Sequence, residues 1–152
     1  MKALLNVLFI CSGFLIFAQK GLDDFLSYSF PSHLKAADQM GKIAWVVNEK
    51  GVRNVYTAHA PEYRAVKETQ YTSDDGIEIS QLLFYGSDLI FVRGSAPNRG
   101  GAFPNPSLAV QGSGQAIYLT SEKKSKKLTE GSAPLLRGEV MYFIKEGQVY
   151  SY

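Results

Sequence analysis

From Gly41 onward the chain alternates short β-branched and aromatic runs with clusters of Gly, Asn, Asp and Ser, and no long stretch carries a 3.6-residue apolar period. This pattern predicts strands joined by tight turns. The first run, residues 42–48, is followed by Glu49-Lys50-Gly51 and then by residues 54–58, the signature of a hairpin. Residues 65–71 read as a weaker third strand. The turn Ser73-Asp74-Asp75-Gly76 leads into a fourth, residues 77–84, with apolar positions at Ile79, Leu82 and Phe84. Before Gly41 the pattern is mixed. Leu22, Phe25, Leu26 and Phe30 are apolar, but Pro31 breaks any helix begun there, so residues 19–41 are expected to form a short entry helix or an irregular lead-in.

The cycle then repeats. Residues 89–93 correspond to 43–47, and after a Gly/Pro/Asn-rich insertion, residues 115–120 correspond to 54–58. A third cycle opens at residues 139–144, turns at Lys145-Glu146-Gly147 and enters residues 148–152. Charged connections follow the second strand of a cycle, at residues 62–67 and 123–130. Trp45, Phe91 and Tyr142 recur at intervals of about 46 and about 51 residues, close to the roughly 40 to 50 residues of a four-stranded propeller blade. The expected fold is all-β, an incomplete β-propeller over residues 42–152, with about two four-stranded antiparallel blades plus the start of a third. A propeller closes with roughly four to eight blades, and Tyr152 falls inside a hairpin strand, so a fragment of a longer polypeptide is expected.

The N-terminus changes the picture of where the chain works. Met1-Lys2 is followed by an apolar stretch up to Phe17 and by the small residue Ala18, which reads as a signal peptide over residues 1–18. The stretch is shorter than the roughly 20 apolar residues of a membrane span. A secreted or periplasmic product is therefore expected, with no membrane span after processing. Cys11, the only cysteine, lies in the segment to be removed, which leaves no thiol for a disulfide, a metal site or nucleophilic catalysis. With 16 Lys and Arg against 14 Asp and Glu, no global field favours nucleic acid. The basic run Lys123-Lys124-Ser125-Lys126-Lys127 has no interleaved aromatic residue for base stacking and reads as a solvated hairpin tip.

Few residues present themselves for chemistry. Asp74 and Asp75 are an acid/base or cation-binding candidate, weighed against turn capping by their side-chain oxygens. His33 and His59 are the only imidazoles and are too far apart to suggest a metal site by spacing. Trp45 reads as packing between blades rather than as a ligand platform. Arg93, at the end of a strand and before Gly94, is the candidate substrate-binding residue, since a channel-facing arginine holds a carboxylate bidentately; the alternative is an ordinary salt bridge. The insertion, residues 95–114, is a candidate reach toward a neighbouring domain or cavity entrance. No catalytic residue, cofactor or metal is implied.

Residues 44–56, Ala-Trp-Val-Val-Asn-Glu-Lys-Gly-Val-Arg-Asn-Val-Tyr, the step Thr72-Ser73-Asp74-Asp75-Gly76, the strand end Phe91-Val92-Arg93-Gly94 and the insertion Pro104-Asn105-Pro106 together resemble the N-terminal propeller of secreted bacterial S9 serine peptidases, the prolyl oligopeptidase and dipeptidyl-peptidase group. The similarity runs from Ile43 to the C-terminus. It implies a C-terminal α/β-hydrolase domain in the parent chain as partner, with a Ser-Asp-His triad and a peptide substrate, while the propeller filters or positions that substrate. Gly112-Ser113-Gly114 and Gly131-Ser132 lack the spacing of the G-x-S-x-G elbow, so no catalytic role passes to them and the chain alone is expected to be inactive. The competing class is a non-enzymatic TolB-like periplasmic propeller that binds a protein or glycan partner.

Overall fold

A computed structural model describes residues 28–37, 41–103 and 114–152. The described chain is all-β, with no helix, and its eleven strands form three antiparallel sheets. Sheet 1 contains β1 (Phe30–Ala36), β2 (Lys42–Glu49), β3 (Val52–His59) and the short β4 (Val66–Lys67), hydrogen-bonded in that order. Sheet 2 repeats the order with β5 (Ile79–Tyr85), β6 (Asp88–Arg93), β7 (Ala116–Ser121) and β8 (Lys124–Glu130). Sheet 3 has β9 (Ser132–Arg137), β10 (Val140–Lys145) and β11 (Gln148–Ser151).

Three boundaries differ from the sequence reading. Residues 30–36, expected in a helical or irregular lead-in, form β1: Pro31 opposes Val47 and Ala36 opposes Ile43. Proline is accommodated at the start of this edge strand, where no ladder partner needs its missing N–H. The strand after Asp74-Asp75-Gly76 does not end the first cycle but opens sheet 2 as β5. The lysine-rich residues 123–130 are not a connection: Glu122 and Lys123 form the tip, and Lys124–Glu130 is the outer strand β8, paired along β7. Its exposed lysines discourage pairing of that edge with another chain. The expected signal peptide, residues 1–18, and residues 104–113 of the insertion lie outside the described residues.

The three sheets share one register. Ser32, Ser80 and Ser132 oppose Val46, Val92 and Ile144, and one or two residues later each first strand carries a β-bulge. The residue after each serine, His33, Gln81 or Ala133, takes a positive φ of 50 to 55°. A bulge inserts one unpaired residue and bends its strand. The side-chain amide oxygen of Gln81 accepts a 2.7 Å hydrogen bond from the Ala133 backbone N–H, which ties the bulge of β5 to that of β9. Each sheet also stacks one aromatic pair across its second and third strands: Trp45 on Tyr56, Phe91 on Tyr118 and Phe143 on Tyr150, with centroids 6.1, 5.5 and 5.7 Å apart. The third repeat therefore aligns through Phe143, one residue beyond the Tyr142 marked by the sequence pattern.

The sheets pack face to face in chain order, with β1 against β5 and β5 against β9. Ala44, Val46 and Val55 of sheet 1 meet Ile79, Leu82, Leu89 and Phe91 of sheet 2 in one buried cluster. The opposite face of sheet 2, through Ile90, Val92 and Ile117, meets Met141 and Phe143 of sheet 3 in a second. Sheet 2 is buried on both faces, which explains why β6 reads Leu-Ile-Phe-Val without polar alternation.

Candidate functional site

The connection from sheet 1 to sheet 2 is built on local side-chain bonds. Asp74 Oδ1 accepts from the Gly76 N–H and Asp75 Oδ1 from the Ile77 N–H, both at 3.0 Å, so each aspartate caps its own turn. The connection runs across the β2–β3 hairpin so closely that a Cβ on Gly51 would sit 2.0 Å from Asp74 Oδ2, and Gly51 itself has φ 86°. Only glycine meets both conditions.

Two arginines fasten this step. Arg53 donates to the Gly51 carbonyl at 2.7 Å and pairs with Glu78 at 2.8 Å, with Asp74 at 3.6 Å. Arg93, at the end of β6, pairs with Asp75 through Nη2 and lies over the Tyr71 ring, its guanidinium carbon 4.2 Å from the centroid. Arg93 Nε is buried and has no partner among the described residues. Burial raises the Tyr71 hydroxyl above its ordinary pKa, while the Arg93 charge pulls it the other way. Asn54 completes the step by holding the Tyr71 backbone on both sides: its amide donates to the Tyr71 carbonyl at 3.0 Å and its side-chain oxygen accepts from the Tyr71 N–H at 2.9 Å.

Arg93 also lines a cleft of about 720 Å³ between the ends of sheets 2 and 3, together with Tyr118, Lys127, Glu130, Lys145 and Phe103. With Glu146 also on its wall, the cleft offers three cationic groups, two carboxylates and two aromatic rings, a lining suited to an extended polar chain. It contains no histidine, and no group of three or more His, Cys, Asp or Glu side chains able to hold a metal ion occurs among the described residues.

The sequence candidates are therefore dispersed. Asp75 and Arg93 come together, Asp74 turns to Arg53, and the aspartates are held as turn caps and ion-pair partners. His33 sits exposed on the β1 bulge with Nδ1 3.0 Å from Ser32 Oγ, and His59 ends β3, also exposed. Trp45 does not lie between sheets: it is half-buried on the outer face of sheet 1, where it lines a groove of about 440 Å³ with Pro31, Leu34 and Ile43. Missed in the sequence were Tyr71 under Arg93 and the Ser-x bulges; the recurrence of serine at 32, 80 and 132 was the signal for the latter. Among the described residues no helix is long and apolar enough to cross a membrane. Compared with family models, curated proteins and solved structures, the chain matches none.

Proposed function

We propose that the chain is the N-terminal part of the propeller of an exported S9-type serine peptidase, and that it gates or positions peptide substrates for a C-terminal α/β-hydrolase domain of the parent chain. The observation that carries this reading is the threefold sheet, each copy stacked on the previous one in the same register with first strand against first strand. Propeller blades repeat in this manner. Residues 1–18 would direct export, so the protein works outside the cytoplasm. Arg93 forms one wall of the cleft, and a peptide carboxylate engages it by exchange with Asp75.

The test is the reading frame beyond Tyr152, followed by assay of the encoded protein on Pro-containing chromogenic peptides. A G-x-S-x-G elbow with downstream Asp and His, turnover by the long protein and none by residues 1–152 are expected. Arg93→Lys in the long protein should raise KM with little change in kcat, since lysine keeps the charge but loses the bidentate fork. Further blades ending in a stop codon, with no turnover, would replace this reading by a TolB-like binding propeller.

A further inference from the structure

Sheets 1 and 2 end on outer strands, β4 and β8, that carry basic residues at matching positions. Lys67 opposes Tyr56 and Lys127 opposes Tyr118. These tyrosines stack on Trp45 and Phe91, which are equivalent residues of the two second strands, so the two lysines are equivalent as well. Three residues before them stand Arg64 and Lys124, and Lys123 and Lys126 add two further charges on sheet 2. All of these except Lys67 are exposed. Lys127 pairs with Glu130, whereas Arg64, Lys67, Lys123, Lys124 and Lys126 join no ion pair among the described residues. Of the acids in the same segments, Glu68 accepts from the Thr57 hydroxyl, which leaves Glu62 and Glu122 to oppose the five.

The two outer strands lie side by side, since Thr120, opposite Ser125 of β8, donates from Oγ1 to the Glu68 carbonyl at 3.5 Å. The segment leading to it is pinned at both ends: the Tyr63 N–H donates to the His59 carbonyl at 2.7 Å and the Glu68 N–H to the Val55 carbonyl at 2.8 Å. It holds Tyr63 48% and Val66 38% exposed beside Arg64 and Lys67. The sheets stack face to face, so this rim is formed by their edges and stays open to solvent however many sheets are stacked on either end.

We infer that this rim docks on an anionic bilayer surface. Lysine ammonium groups on an exposed strand act as point charges toward phosphate, and each basic residue brought near such a surface strengthens binding about fivefold. Tyr63 supplies an amphipathic ring of the kind that sits at headgroup level. A soluble polyanion would engage the charges but leave Tyr63 and Val66 in water, so the combination favours a bilayer. The inference rests on the outer strands and is independent of the peptidase reading.

The whole chain is titrated with vesicles of phosphatidylcholine and with vesicles of equimolar phosphatidylcholine and phosphatidylglycerol, with binding read by co-sedimentation. The apolar residues 1–18 are common to every sample, so the ratio of the two affinities isolates the response to headgroup charge. Three net charges on the rim should give a ratio on the order of a hundredfold at low salt, falling as salt is added. Lys124→Gln with Lys126→Gln should weaken binding to the anionic vesicles about 25-fold with circular dichroism unchanged. Lys35→Gln with Lys50→Gln, which removes two exposed charges from β1 and the β2–β3 turn, should leave it unchanged. Tyr63→Ser should weaken vesicle binding and spare binding to soluble dextran sulfate. Equal affinity for the two vesicles, even with binding to dextran sulfate, an equal loss from the two lysine pairs, or a Tyr63→Ser loss shared by dextran sulfate would overturn the inference.

Discussion

Arg93 and Asp75 form an unequal pair, because the arginine side chain is 14% exposed and the aspartate 30%. Removing the carboxylate leaves a shielded cation without its counter-charge, whereas removing the guanidinium leaves an anion that water still reaches. Asp75→Ala should therefore cost about 2 kcal/mol and Arg93→Met clearly less, as read from urea midpoints at constant m. Equal losses would show that the difference in burial between the two partners does not set the cost. The hydroxyl of Tyr71 supplies the pH dependence. Its pKa is raised on folding, chiefly by burial, so the protonated side chain favours the folded state below the unfolded pKa, and that contribution disappears as pH rises through the folded value. Stability should fall in the alkaline range above the ordinary tyrosine pKa of about 10, and Tyr71→Phe should blunt the fall in alkaline melts. Arg93→Met should shift the Tyr71 titration further upward, since the arginine charge lowers it.

At the scale of elements, the bulged first strands distinguish local strain from local bonding. Ala133 occupies the left-handed region at φ 50° without a side-chain bond of its own, so Ala133→Gly should raise stability by up to about 1 kcal/mol. Gln81→Ala should lower it by about 1 kcal/mol by withdrawing the acceptor from the Ala133 N–H. Chemical denaturation of the two variants measures both signs. These strands also mark how far the sequence could be read. The second and third strands of each cycle were legible because an apolar run, a Gly turn and a tyrosine-bearing strand are encoded locally, as in residues 42–56. Of the first strands only β5 was read, from its apolar Ile79, Leu82 and Phe84; β1 contains Pro31 and is exposed along its length, and β9 contains Pro134, so neither of these carries the alternation by which a strand is recognised. Strand β8 was hidden by its lysines, which belong to an outer edge facing solvent. At the site, the capping roles of Asp74 and Asp75 followed from Asp-Asp-Gly, but the partnership of Asp75 with Arg93 joins residues 18 apart across two elements and has no local signature.

For the whole molecule, stability should be graded from the middle outward. Sheet 2 is covered on both faces, and Phe91 and Ile117 are fully buried on opposite sides of it. Phe91→Ala should cost about 3–5 kcal/mol, a large part of the roughly 5–15 kcal/mol that holds a domain together. Hydrogen exchange should be slowest in β6 and β7 and fastest in β1 and β11, each of which is exposed along its length. Uniform exchange across the three sheets would mean that they open only as one unit.

The shared register has a consequence for how such a chain lengthens. Sheet 2 presents to sheet 1 the same positions that sheet 3 presents to sheet 2, and it offers sheet 3 the same positions that sheet 1 offers it. Its input and output surfaces are therefore interchangeable with those of its neighbours. A gene segment encoding residues 76–130 could be copied in tandem without creating a surface the fold has not already solved, so growth by duplication would require no new core to be invented.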